Sequence, residues 1–292
     1  MLLNASGCLD ALVAPEVARA LDGFVTKTIT PLPREGNAPP RIAETEHGML
    51  NAIGLANPGR ERFLSEHLPK LNALLGDVSI WVSVGGFSAE EYAATCASLG
   101  GGGVAAIELN LSCPNVPESG DSAAAIVAAC HAATTLPLYA KLSAAHPDVA
   151  EVARAVAAAG ADGLSLVNTL RGLALDPQTL EPVLERGSGG LSGPSLKPVA
   201  LAAVHACYAA TKLPIVGMGG VATGRDALEL IACGARHVAL GTVLFSDPDA
   251  PARVREELAR AAQEVGVADA DDAYARAHSA EKTLQIGSKV AA

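Results

Sequence analysis

The sequence predicts a (β/α)8 barrel of the TIM type with elaborated loops on its C-terminal face, and three observations carry that expectation. Short β-rich apolar runs alternate with Ala- and Leu-rich stretches of helical character, the pattern of βα units around a parallel sheet. Eight such runs can be counted, the number that closes a barrel. Gly, Asn, Lys and Thr recur at the ends of the runs, where barrel enzymes keep their chemistry. An open doubly wound sheet is the competing arrangement, weakened because no G-x-G-x-x-G follows the first run.

In chain order the strands are LLNAS (2–6), FVTKT (24–28), IWVSV (80–84), AIELNLS (106–112), LYAKLS (138–143), GLSLVNT (163–169), PIVGMGG (214–220) and HVALGT (237–242). Crossover helices are expected over 89–99, 123–134, 149–159, 198–211, 225–233 and 251–265. Gly160, Gly234 and the glycines of 100–103 follow three of them as C-terminal punctuation. Two gaps, 28–80 and 169–214, are longer than a βα connection needs and rich in Gly, Pro and Asn. Such loops are expected on the C-terminal face as binding segments. The chain is therefore read as one domain over 1–292, with 266–292 as a C-terminal appendage.

Composition narrows the function. The 292 residues hold 31 acidic and 21 basic side chains, a formal charge of −10. That balance argues against nucleic acid or an anionic membrane as the main partner, since both are held by Lys and Arg. No run approaches the roughly 18 apolar residues of a membrane span, and MLLNASGCLD lacks the basic and apolar regions of a secretory leader. The reading is a cytoplasmic protein. Its six cysteines contain no C-x-x-C pair, so zinc or iron–sulfur ligation has no spacing to rest on.

The densest chemical constellation is ELNLSCPN (108–115), in which Asn110, Ser112 and Asn115 gather at a strand end and Pro114 presents Cys113 in a loop. The other five cysteines read as small buried hydrophobes. Lys27 ends FVTKT and Lys141 interrupts LYAKLS, and a lysine inside an apolar barrel strand must face an anion or a polar ligand. Asn168 and Thr169 end the sixth strand, and Asn51 lies in the first long gap. The last two strands end in GMGG (217–220) and GT (241–242), the usual place for a phosphate in this fold, held by backbone N–H groups and a helix N-terminus. Phosphate clamp, lysines, amides and one loop cysteine together suit flavin mononucleotide (FMN) and a small polar planar substrate. A lysine beside the flavin pyrimidine favours the anionic reduced form, and a thiolate can act as base.

The sequence resembles the class 1 dihydroorotate dehydrogenases over nearly its whole length. The matching stretches are NASG (4–7), VTKTIT (25–30), RIAETEHGMLNAIGLANPG (41–59), ELNLSCPN (108–115), KLS (141–143), ADGLSLVNTLRG (161–172), GGLSGPSLKP (189–198), PIVGMGGVATGRDALE (214–229) and VALGT (238–242). MLNAIGLANPG and GLSGPSLKP look more like the NAD-linked subclass 1B than the fumarate-using 1A. The resemblance implies an FMN barrel oxidising (S)-dihydroorotate to orotate in pyrimidine biosynthesis, with Cys113 as the base. It implies substrate contacts from Lys27, Asn51, Asn110, Asn115, Asn168 and Thr169 beside Ile53, Gly54 and Leu55. It implies flavin contacts from Ser6, Lys27, Thr28, Asn110, Lys141, Val167, Gly193, Gly219, Gly220, Gly241 and Thr242.

For subclass 1B it further implies a homodimer at the centre of a heterotetramer whose second subunit carries FAD and a 2Fe–2S cluster and reduces NAD+. Two departures stand out: VPESGDSAAAI after Cys113 is shorter than the family's lid, and LDALVAPE replaces an aromatic, glycine-containing segment after ASGC. The alternatives are a fumarate-using enzyme of the 1A kind, a flavoenzyme for another dihydropyrimidine, and a non-catalytic FMN-binding barrel. A tRNA-modifying flavin barrel is disfavoured by the charge of −10.

Overall fold

The computed structural model of the chain describes residues 1–111 and 122–279. Eight parallel strands close a barrel: β1 (Leu2–Asn4), β2 (Gly23–Val25), β5 (Ser79–Val84), β6 (Val104–Asn110), β7 (Leu138–Leu142), β8 (Gly163–Leu166), β11 (Ile215–Met218) and β12 (His237–Leu240), with β1 between β2 and β12. All eight overlap the runs expected from sequence; β2, β5 and β6 begin one or two residues earlier, and all but β5 stop short of the expected C-terminal end because the last residues of those runs turn into the loops.

Period-2 alternation divides the strand residues into two cores. Val82, Val84, Ile107, Leu109, Leu138, Ala140, Leu142, Leu164 and Leu166 point outward and pack under the helices. Leu3, Val25, Trp81, Ala106, Tyr139, Val216, Met218 and Ala239 point inward and fill the barrel. Trp81 and Tyr139 pack at a 4.5 Å centroid distance with their rings tilted by 47°, and Tyr139 has room only because residue 163 is glycine, where a Cβ would fall 2.3 Å from the ring. This apolar plug closes the lower barrel, so polar inward residues one step up, Ser83, Glu108, Lys141 and Ser165, form the floor of whatever lies above.

Helices α1 (Pro15–Arg19), α2 (Arg60–Arg62), α3 (Leu68–Leu75), α4 (Ala89–Ala97), α5 (Ala123–Ala133), α6 (Val149–Ala158), α7 (Lys197–Thr211), α8 (Gly224–Ala232) and α9 (Ala250–Glu264) surround the barrel. α4, α5, α6 and α8 begin on side-chain caps from Ser88, Ser122, Asp148 and Thr223, each of which satisfies an orphan N–H. Residues 266–279 pack on α8 and α9 through Ala273 against Leu228, Ala261 and Ala262; the rest of the expected appendage, 280–292, lies outside the described residues.

The two long gaps are more than loops. β3 (Ile42–Thr45), β4 (Gly48–Asn51), β9 (Leu170–Gly172) and β10 (Gly189–Ser192) form a separate sheet in the order β3-β4-β10-β9. Three- and four-residue antiparallel strands from distant parts of the chain carry too little periodicity to read locally. This sheet joins the first gap to the second and roofs one side of the barrel mouth. Gly190 lets it seat, since a Cβ there would fall 2.2 Å from the Thr169 hydroxyl.

At the barrel's lower end His237 stacks edge-on to Trp81 at 6.2 Å, and its Nδ1 has no partner among the described residues. Burial, with the N-terminal amine and Arg236 adding, pushes its pKa down to about 4. The folded ring is therefore neutral at pH 5, whereas an unfolded histidine binds a proton below about 6.5. Unfolding takes up that proton as pH falls from 6.5 towards 4, so stability drops over this window. Urea unfolding should show a loss of up to about 2 kcal/mol from this residue between pH 7 and 5, absent in His237→Gln.

Candidate active site

A cavity of about 580 Å3 opens at the C-terminal ends of the strands, under the four-stranded sheet. Its volume is that of a cofactor or drug-sized pocket. Every described residue among those expected from sequence lines it: Ser6, Lys27, Thr28, Asn51, Ile53, Gly54, Leu55, Asn110, Lys141, Val167, Asn168, Thr169, Gly193, Gly219, Gly220, Gly241 and Thr242. Cys113, Asn115 and Ser112 lie outside the described residues.

One end of the cavity is a backbone cradle. The loop after β11 turns through Gly219 (φ +114°) and Gly220 (φ +76°), and a Cβ on Gly220 would fall 2.7 Å from Lys197. Among the described residues the N–H groups of Gly219, Gly220, Val221, Gly241 and Thr242 have no hydrogen-bond partner. Unpaired N–H groups converging on a cavity are a ready anion site. The sequence expectation has the helix N-terminus behind them help hold the phosphate; in the structure most of its donors are taken by the protein's own groups. Asp226 Oδ2 accepts from the N–H groups of Ala222 (3.0 Å) and Thr223 (2.8 Å) and from the Thr223 hydroxyl (2.8 Å). Gly224 N–H donates to Glu257 at 2.8 Å. Lys197 Nζ donates to Asp226 at 2.6 Å and pairs with Glu229 at 3.0 Å, so these carboxylates brace the turn and leave the donors just upstream of it exposed to a ligand.

The floor is polar. Lys141 Nζ meets Glu108 Oε1 at 3.2 Å, with 6% and 1% of the two side chains exposed. Lys141 thus finds the anion that its place in an apolar strand demands, and the anion is part of the protein. Lys27 behaves differently: β2 ends at Val25, so Lys27 stands in the loop above it with an exposed side chain at the cavity wall. The sequence expectation puts Lys27 at the end of a strand reaching residue 28; the strand stops two residues before it. Burial of its ammonium and the neighbouring Arg41 still lower its pKa from the ordinary lysine value.

Other features escaped the sequence reading. Glu108 lay inside the quoted ELNLSCPN motif, and its two-residue spacing from Asn110 places both on the inward face of β6. Cys8, expected as a buried hydrophobe, is half-buried and lines the cavity; burial pushes its thiol up to about 11, so it stays neutral. Leu55 holds a left-handed backbone, φ +58°, at the cavity wall, a conformation that costs a branched residue energy and recurs at functional sites.

A closed α/β barrel with an anion cradle after its last two strands and a polar floor defines an enzyme site of the phosphate-cofactor class. The dihydroorotate dehydrogenase family profile matches residues 1–261. The "dihydroorotate dehydrogenase B (NAD(+)), catalytic subunit" of Latilactobacillus sakei subsp. sakei (strain 23K) is 46% identical over 260 residues, 85% of this chain and 84% of that protein. The protein of the same name from Desulforudis audaxviator is 44% identical over 266 residues, 88% and 86% of the two chains. Among solved structures, the ligand-free DHODH of Eimeria tenella superposes with a TM-score of 0.81 at 22% identity, covering 95% of this chain and 89% of that one. The chain belongs to the dihydroorotate dehydrogenase family.

Proposed function

We propose that this chain oxidises (S)-dihydroorotate to orotate in pyrimidine biosynthesis, using FMN, and passes the electrons to a separate FAD/2Fe–2S subunit that reduces NAD+. The observation that carries this reading is the cavity itself, in which an array of unpartnered N–H groups at one end meets a floor of lysine and amides at the other. Relatives that are 46% and 44% identical are named as catalytic subunits of the NAD-linked enzyme, which supports a separate second subunit; a homodimer at the centre of a heterotetramer is part of the same proposal. The barrel is read as one domain working in the cytoplasm; among the described residues no helix is long and apolar enough to cross a membrane.

The cradle suits the phosphate of FMN, and Ser6, Thr28, Asn110, Lys141, Val167 and Gly193 are the further residues that would hold it. FMN, when bound, supplies the hydride acceptor. Asn51, Asn110, Asn115, Asn168 and Thr169 orient the substrate ring through its amide edges, with Lys27 opposite its carboxylate and Ile53, Gly54 and Leu55 as wall. Cys113, three residues beyond Asn110 in the sequence, takes the C5 proton as the C6 hydride leaves, so dihydroorotate loses one proton and one hydride and becomes orotate.

Three measurements test this reading. The purified chain should bind FMN more tightly than riboflavin, because the cradle recognises phosphate; equal affinities would contradict the clamp. Asp226→Asn should weaken FMN by about tenfold through one lost charge-assisted brace and leave riboflavin binding unchanged. Fumarate should support no turnover with dihydroorotate in the absence of the second subunit; rapid turnover would favour the 1A-like alternative.

A further inference from the structure

The hydrogen bonds above the apolar plug run in one direction. Glu108 is an acceptor-only group when ionised, and Ser83 Oγ donates to its Oε1 at 3.3 Å. With its single proton spent there, Ser83 accepts from the Thr28 hydroxyl at 2.9 Å. Thr28 Oγ1 then accepts from Asn110 Nδ2 at 3.1 Å. Asn110 Oδ1 accepts from Asn168 Nδ2 at 3.2 Å, and Asn168 Oδ1 accepts from Thr169 N–H at 2.8 Å. Every donor in the chain points towards Glu108. The same carboxylate holds Lys141 at 3.2 Å.

We propose that Glu108 is a positioning residue for the reaction, whose carboxylate both neutralises and aims Lys141 and sets the sense in which the Asn110 and Asn168 amides face the cavity. A buried ion pair adds little net stability over an apolar pair of the same size, so packing alone gives the barrel no reason to keep one on the floor of its cavity. An amide side chain presents either a donor or an acceptor edge depending on which way it is turned. The donor-only Thr169 N–H at one end and an acceptor-only carboxylate at the other fix the sense of both asparagines together, and the carboxylate is the end that a side-chain substitution can release. The carboxylate also keeps the lysine from acting as an uncompensated cation, which would stabilise an anionic reduced flavin.

This proposal rests on FMN occupying the cavity, and the test is built to separate the two. Glu108→Gln keeps the shape and removes the charge, leaving a group that can donate as well as accept. On FMN-loaded protein two quantities are compared with the wild type: the two-electron reduction potential of the flavin at pH 6 and the dissociation constant for orotate. The variant should retain FMN, shift the potential upward by about a tenfold change in the reduction equilibrium, or about 30 mV, and bind orotate about tenfold more weakly. Either quantity staying at the wild-type value overturns the proposal. Glu108→Asp keeps the charge but withdraws it by one methylene, and should move both quantities the same way by less; it carries the test if the glutamine variant does not accumulate folded, and wild-type values in it overturn the proposal equally. A wild type that cannot be loaded with FMN would instead overturn the cofactor reading underneath.

Discussion

Cys113→Ala should reduce dihydroorotate-driven flavin reduction by about 10²–10⁴-fold, the usual contribution of a positioned base, while FMN stays bound. The thiol is the proton acceptor in the proposed reaction, and alanine leaves none. The proposed reaction gives the thiol no part in holding the flavin, which falls to the N–H cradle and Lys141, so affinity for FMN should stay at the wild-type value. Cys113→Ser should retain slow activity with its rise displaced to higher pH, because a hydroxyl ionises far above the ~8.5 of a free thiol. Anaerobic stopped-flow reduction at several pH values reads both variants. Unchanged rates in the alanine protein would remove Cys113 from the mechanism.

Lys141→Ala is the second large effect, and it acts on folding and binding together. The Glu108 carboxylate, 1% exposed, would lose its cation, and breaking a buried pair by removing one partner costs about 3–5 kcal/mol. FMN affinity should fall by about 10–100-fold through one lost charge-assisted hydrogen bond. Pairing Lys141→Ala with Glu108→Gln separates these effects, since the double variant has no orphaned charge. Its urea midpoint should return most of the way to the wild-type value while its flavin affinity stays low. Recovery of both would confine Lys141 to a structural role.

The barrel was legible because eight apolar runs recur at βα spacing, most of them carrying Gly, Asn, Lys or Thr near the C-terminal end, and the repetitions reinforce one another. The helix starts were legible for a local reason too, since Ser88, Ser122, Asp148 and Thr223 stand directly before them. The antiparallel roof was not, because Gly190 pairs with Asn51 across 139 positions of sequence and each strand is only three or four residues long. Short strands define themselves by the partner they find, and that partner is invisible in the chain.

The site shows the same division. Asn110, Lys141, Gly219 and Gly241 announce themselves by residue type at a strand end, and the structure brings them to one cavity. Asp226 and Lys197 carry no such mark; they matter because a turn folds Asp226 back onto the N–H groups of Ala222 and Thr223. Glu108 lies between. Its alternation with Asn110 fixes its face, but the meaning of a carboxylate on that face appears only once Ser83 and Lys141 arrive from neighbouring strands.

The central claim is that this cavity holds FMN and reduces it with dihydroorotate. The most direct measurement is the visible absorbance spectrum of the purified, FMN-loaded chain before and after anaerobic addition of dihydroorotate. The flavin bands should bleach without any second subunit present. A yellow protein that stays oxidised would contradict the substrate assignment.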